Sequence, residues 1–412
     1  MIINFNIIGA DEKNLPLQLV KEVRVYQILV SRKNEKNIIA LIENGILVEK
    51  YEETIGKRLE GNIYIGKVQN ILKKMQVAFV DMGEEKNAFI HLKDALPKVD
   101  EKKEQRTEIH EINSILKVGM PILVQVKRDC TSQKGARIST HINLTGKYIV
   151  FLPNANFITT SQKIENAKEK ERLVCIAKKI LPTGTGAIIR TSAINKQETD
   201  LKNDLDILID KWNKITQMKL KNYPKLVYKN DSLIKKLLTD LIEKEIETII
   251  VDNKENLEEV SQALKEYGKE NQIHIRYVSD ALKEAGIEEK IEKLKNRKIW
   301  LKCGGFITID KTEALTAIDV NSAKFTGAKD LETTAYMVNL EATDEITRQL
   351  KLRDIGGIII IDYIDMLIDG NKQKIQQRLI QNLKTDRAKT QVEGFTKLNL
   401  MELTRKHICN EE

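Results

Sequence analysis

One segment constrains this chain more than any other: a strand, a long helix and a second strand follow one another between Ala314 and Asp362. Ala314–Val320 reads as one strand of a hairpin with Gly305–Asp310. From Leu331 to Leu352, residues Ala335, Val338, Ala342, Ile346 and Leu350 fall on one helical face, and Gly356-Gly357 is the expected stop. Ile358–Ile361 is an unbroken apolar run, expected to be a fully buried strand that ends in Asp362. A strand–helix–strand unit closes with its strands parallel and its crossover right-handed. The region is therefore α/β, and the ends of both strands arrive at one edge of a sheet, where open α/β sheets place their ligands.

Asp319 and Asp362 stand at those two strand ends. Two adjacent carboxylates repel, and one is driven to take up a proton unless a cation lies between them. Mg²⁺ suits such a pair, since it takes one or two carboxylates, waters and a phosphate oxygen, and it can polarise a phosphodiester and activate water. Asn321, on the same strand face as Asp319, is placed to hold a carboxylate by hydrogen bonding. An Asp at a strand end is more often a turn former or helix cap, so spacing alone leaves both readings open. Asp365 competes with Asp362, and a solvated acid at a helix start is its plainer role.

Upstream, Ile38–Val48 suggests a hairpin with its turn at Glu43-Asn44-Gly45. Short alternating runs beginning at Asn62, Val77, Asn87 and Ile122 then suggest a small β-barrel, interrupted by a polar loop from Lys98 to Asn113. Phe79 and Phe89 lie on these strands among Lys67, Lys127, Arg128, Lys134 and Arg137. Barrels of this kind stack single-stranded bases on aromatics in a basic groove, although a strand Phe is more commonly core. Helices are expected over Ser161–Ile180, Leu201–Leu220, Ser232–Glu247, Leu257–Tyr267 and roughly Lys372–Lys389, with strands over Ala187–Thr191 and Thr248–Asp252. Arg190 follows Gly184-x-Gly186 and is suited to gripping a phosphate, whereas a lone Gly-x-Gly is usually a turn.

At 412 residues the chain calls for two to four domains. Its +8 formal charge favours a polyanion only weakly. Cys130, Cys175, Cys303 and Cys409 are too scattered for a structural zinc site within one chain and fit a reducing compartment. The N-terminus lacks the features of a signal peptide, and no apolar run is long enough to span a bilayer. The expectation is a soluble, cytoplasmic protein that does not engage membranes.

Several segments together resemble the RNase E/G family of endoribonucleases. The strongest are TEALTAIDVNS at Thr312–Ser322 and NLEATDEITRQLKLRDIGGIIIIDYIDM at Asn339–Met366. Weaker ones are NIYIGK from Asn62, AFVDMG from Ala78, KGA from Lys134, GAIIRTS from Gly186, DRAK from Asp386 and MELTRK from Met401. The resemblance spans nearly the whole chain in order. It implies a multidomain α/β fold: an RNase H-like part over residues 1–57 and 231–294, an inserted S1-type OB barrel over 58–140, a 5′-sensor region over 141–230, and a DNase I-like catalytic region over 295–412. It also implies that Asp319 and Asp362 hold Mg²⁺ with support from Asn321. Phe79, Phe89 and Lys134 would contact single-stranded RNA, and Arg190 and Thr191 would recognise a 5′-monophosphate. Asp362 is thereby chosen over Asp365. The implied activity is hydrolysis of messenger and ribosomal precursor RNA, leaving 5′-phosphate and 3′-hydroxyl ends.

The chain departs from the family pattern in two places. The Cys-Pro-x-Cys zinc link is missing before Glu412, so zinc is not expected and the oligomeric state is left open. The family's Arg-Arg-Ile reads Gln162-Lys163-Ile164, which points to a weaker monophosphate preference. The rival reading is a weakly active or inactive RNA-binding factor in ribosomal RNA maturation.

Overall fold

The structure is a computed structural model that describes residues 25–56, 58–96, 111–130, 134–218, 223–241, 245–323 and 330–409. Four sheets organise it. In the first, Tyr26–Lys33, Lys36–Glu43 and Ile46–Thr54 form an antiparallel meander. The expected hairpin turn is present: Asn44 and Gly45 take φ of 48° and 78°, the conformation that an Asn-Gly pair favours between twisted strands. Tyr26–Lys33 also pairs in parallel with Ile246–Val251, which pairs with His274–Tyr277, so residues far apart in sequence share one sheet.

The second sheet is a closed barrel. Ile63–Leu72, Val77–Asp81, Ala88–His91, Arg137–Ser139 and Pro121–Arg128 pair in that order, and the last pairs back with the first. This five-stranded, OB-like closure fits an S1 domain. Gly66 permits the close strand approach, since a Cβ there would lie 2.5 Å from Val80 Cγ1. Lys225–Tyr228 adds to the outside of Ile63–Leu72. A third, four-stranded sheet, built on Ile149–Leu152 and Gly186–Ile189, packs with helices Ala167–Ile180 and Glu198–Gln217 around Phe151, Leu173, Leu201 and Leu205.

The fourth sheet holds the strand–helix–strand unit. Its order is Lys298–Trp300, Phe306–Lys311, Leu315–Asn321, Gly357–Asp362, Leu400–Arg405, Thr390–Phe395. Leu315–Asn321 and Gly357–Asp362 run parallel, joined by helix Leu331–Leu352, as the sequence pattern requires. Ile307, Ile318, Ile359, Ile361, Met401 and Leu403 point to the helix side. There they meet Val338, Ala342, Ile346 and Leu350, all fully buried. Each buried Ile or Leu contributes about 1.5–3 kcal/mol relative to exposure. The alternate residues of the same strands face the other way, on a side where none of the described helices packs.

That one-sidedness corrects one expectation. Gly357–Asp362 is not buried throughout: Ile358 is 50% exposed and only Ile359 and Ile361 lie in the core. Nor do Gly356-Gly357 stop the long helix. It ends at Leu352, and Asp354 (φ 46°) supplies the left-handed residue while its carboxylate accepts the backbone N–H groups of Ile408 and Cys409. Gly356 is instead required by packing, for a Cβ there would lie 2.5 Å from the His407 ring.

Other boundaries shift as well. The helix expected from Ser161 starts after the Asn166 cap, because Ile158–Thr160 is a strand. The helix expected over Ser232–Glu247 is Leu233–Leu241, and the following strand begins at Ile246. The last helix is Asp369–Leu383, and Asp386 turns inward beyond it. Most of the Lys98–Asn113 loop lies outside the described residues, but Ile112–Ile115 forms a helical turn with Ile112 buried.

Candidate active site

The register of the fourth sheet decides which side chains can meet. Asp319 is directly opposite Asp362 across the parallel pair, and opposite Thr308 across the antiparallel pair. Neighbouring strands lie about 4.8 Å apart, so the two acids stand side by side on the uncovered face. Both are exposed. Asn321 Nδ2 donates to Asp319 Oδ2 at 2.5 Å, which leaves the other Asp319 oxygen for a ligand. Partial desolvation, then the charges of Asp319 and Asp365, push the Asp362 carboxyl above its ordinary value. Among the described residues neither acid is in an ion pair. Asp365 is exposed and acts here as a third negative charge near Asp362, well before the helix that starts at Asp369.

The backbone beyond Asp362 is held from below by groups that the sequence pattern did not single out. Asn339 is fully buried in the long helix; its Nδ2 donates to Ile364 O at 2.8 Å and its Oδ1 accepts Ile364 N–H at 3.0 Å. Tyr363 is buried and its hydroxyl meets Thr343 Oγ1 at 2.8 Å. Glu332 accepts the Leu367 N–H at 2.7 Å and an Asn371 amide hydrogen at 2.7 Å. Buried polar residues on an otherwise apolar helix face were the available signal: Asn339 and Thr343 interrupt the Ala335–Leu350 stripe.

Among the described residues no group of three or more His, Cys, Asp or Glu side chains could hold a metal ion. A lone carboxylate pair with open solvent beside it instead fits a hard cation that keeps most of its waters. The uncompensated charge at Asp362 is what such a cation would relieve. Cys409 offers no comparable chemistry, since burial pushes its thiol up to about 12.

The other sequence-derived residues lie elsewhere. Phe79 and Phe89 are paired across adjacent barrel strands and are half-buried, so neither joins the barrel core of Tyr64, Val68, Val80 and Ile90. The Phe89 ring meets His91 edge-on at 5.5 Å. Lys134 is exposed. Among the barrel cations, Arg137 clamps Asp94 at 2.7 Å and Lys127 donates to His141 O at 2.6 Å. Arg190 donates to Gly146 O at 2.6 Å and to Asp240, which also lies 3.5 Å from Arg387. Thr191 is exposed and opens a 3₁₀ turn. Lys163 donates to the Asp386 carbonyl, and burial lowers its pKa. The association of Arg190 with Asp240, and of Lys163 with Asp386, had no signal in the local sequence.

The structure thus sets a carboxylate pair on the outward face of a mixed sheet that follows, in the chain, an OB-like barrel. Comparison with known proteins specifies it further. The Ribonuclease E/G family model matches residues 143–408. Ribonuclease G of Escherichia coli K12 is 36% identical over 402 residues, covering 93% of this chain and 82% of that protein. Ribonuclease G of Haemophilus influenzae is 36% identical, with 92% and 79% covered. Ribonuclease E of Synechocystis is 34% identical, covering 90% of this chain and 56% of that longer protein. The chain belongs to the ribonuclease E/G family.

Proposed function

We propose that this endoribonuclease hydrolyses single-stranded RNA at the Asp319–Asp362 pair, with Mg²⁺ held by those two carboxylates. The observation that carries the reading is the register: two acids directly opposite on adjacent parallel strands, on an uncovered face, with no cation of the described chain between them. Asn321 orients Asp319, and Asn339 fixes the backbone that follows Asp362. Asp319 and Asp362 would hold Mg²⁺, which when bound would supply positive charge to the scissile phosphodiester and lower the pKa of a coordinated water. Asp362 must be ionised to serve as a ligand, and a cation would offset the partial desolvation and the Asp319 and Asp365 charges that raise its pKa. Attack by water and departure of the ribose 3′-oxygen leave 5′-phosphate and 3′-hydroxyl ends.

The remaining assignments follow the same reading. Phe79 and Phe89 stack bases, aided by Lys134, and their half-exposed cross-strand pairing supports this. Arg190 and Thr191 take a 5′-phosphate in competition with Asp240. The RNase H-like part takes residues 1–57, of which 25–56 are described, and 231–294, and the parallel pairing of Tyr26–Lys33 and Ile246–Val251 supports this. The 58–140 barrel and the 141–230 sensor region deliver RNA to the DNase I-like region at 295–412. The substrates are messenger RNA and ribosomal RNA precursors in the cytoplasm.

The test is cleavage of 5′-monophosphorylated and 5′-hydroxyl oligonucleotides with Mg²⁺ or EDTA, followed by end-group analysis. Cleavage should require Mg²⁺, leave 5′-phosphate ends and favour the monophosphorylated strand. Undiminished cutting in EDTA, or 5′-hydroxyl products, would falsify the mechanism.

A further inference from the structure

A second exposed group lies on the same sheet face. Lys298–Trp300 is the edge strand beside Phe306–Lys311, and register sets Trp300 opposite Phe306, which is opposite Asn321. Trp300 is 62% exposed. Its ring meets Phe306 at 5.4 Å between centroids and 64° between planes. Lys298 Nζ stands 4.1 Å from the Trp300 centroid and 3.6 Å from that of Phe306. We propose that Lys298, Trp300 and Phe306 form a stacking subsite that receives one base of the RNA strand beside the scissile phosphodiester. This rests on reading Asp319 and Asp362 as the cleavage centre.

Three observations favour a nucleobase as the occupant. The first is position: two strand spacings, about 10 Å, separate Trp300 from Asn321, which is a reach appropriate to a nucleotide bound next to the carboxylates. The second is chemistry. An indole beside a phenyl ring offers stacking surface that any base can use, and Lys298 supplies a cation for the phosphate that accompanies it. The third is rigidity. The Leu301–Gly305 turn is fixed before binding, because Glu341 of the long helix accepts the Lys302 and Cys303 N–H groups at 2.5 and 3.0 Å. Leu301 is buried, and a Cβ on Gly305 would lie 2.8 Å from Asn321 O. A second copy of the chain is disfavoured as the occupant. The edge strand has only three residues and carries Lys298 on its open face, features that block edge-to-edge pairing.

The experiment uses the full chain carrying Asp319→Asn, so that bound RNA is not cut, and titrates a short single-stranded oligonucleotide of known cleavage site. The only tryptophans are Trp212 and Trp300, so intrinsic fluorescence reports stacking directly. RNA should quench the Trp300 emission, and adding Trp300→Leu should abolish that quenching and weaken binding roughly 5- to 100-fold. Trp300→Phe should restore most of the affinity. A strand with one abasic position next to the cleavage site should lose affinity for the Trp300 protein and not for the Leu variant. Unchanged affinity and unquenched emission would overturn the subsite, as would a dimer in light scattering that Trp300→Leu dissociates without altering RNA binding. These outcomes are separable from failure of the cleavage centre, which shows instead as undiminished cutting by Asp319→Asn.

Discussion

Two clusters of acids in the C-terminal region meet opposite fates. At Asp386 and Asp354 every charge is answered. The Arg405 side chain is wholly buried and donates to both acids at 2.8 Å, and Asp386 is 1% exposed. Ala388 N–H and Ile355 O complete the set. At Asp319 and Asp362 the charges face one another across adjacent strands, with the Asn321 amide on Asp319 and no ion pair to either acid among the described residues. The first arrangement costs desolvation that its ion pairs offset, and it ties the strand Leu400–Arg405 to the end of the long helix. The second leaves two like charges side by side, a repulsion that a bound cation would offset. Acids of equal formal charge thus serve structure in one place and, on the proposed reading, chemistry in the other, and the surrounding partners decide which.

The largest expected effect breaks the comparison at its reactive side. Asp319→Asn or Asp362→Asn should reduce RNA cleavage about 1000-fold or more, a loss of roughly 4 kcal/mol of transition-state stabilisation. RNA affinity and the circular dichroism spectrum should persist. Near-normal turnover in either variant would return both acids to the status of turn formers. The structural side should respond in reverse. Arg405→Met leaves Asp386 buried without its partner, and a loss of about 3–5 kcal/mol of stability is expected in denaturant titration. If Arg405→Met unfolds at the wild-type midpoint, the network is not what holds that strand.

A smaller effect separates orienting from binding. Asn321→Ala should retain RNA affinity and the Mg²⁺ requirement while activity falls about 10- to 100-fold, the range typical of groups that position a metal ligand. Excess Mg²⁺ should recover part of the loss. A fall in RNA affinity without a change in Mg²⁺ dependence would make Asn321 a substrate contact instead.

How much of this was legible in the sequence depends on the range of the interaction. The strand–helix–strand unit was readable because a single helical stripe, Ala335 to Leu350, and two flanking strands fix its topology locally. Asp319, Asp362 and Asn321 followed from that topology together with the resemblance of their two sequence blocks. The exposure of Ile358, and the partial exposure of Ile360, were not readable, because a run of isoleucines looks the same whether one face is covered or two. Gly356-Gly357 misled for a related reason: Asp354 could take the left-handed position because its carboxylate found partners at Ile408 and Cys409, some fifty residues away. Arg190 was visible as a cation, but its partner Asp240 comes from a helix that no local pattern connects to it. Trp300 and Phe306 became neighbours only when the hairpin register was known.

The finest distinction between the clusters is thermodynamic. Partial desolvation, then Asp319 and Asp365, raise the native pKa of Asp362 above its unfolded value. The protonated form therefore favours folding. Its contribution is complete below the ordinary carboxylate range and is lost as pH rises through the native value. At neutral pH in EDTA the ionised side chain opposes the fold, so Asp362→Asn should raise the melting temperature slightly even as it abolishes cleavage. The gain should vanish at a pH below the ordinary carboxylate range, where the wild-type acid is already neutral. Mg²⁺ should stabilise the wild type and not the variant, since only a ligand with differential affinity for the folded state shifts the equilibrium. A melting temperature that falls on Asp362→Asn, as it should on Arg405→Met, would place Asp362 among the structural acids and remove the contrast between the two clusters.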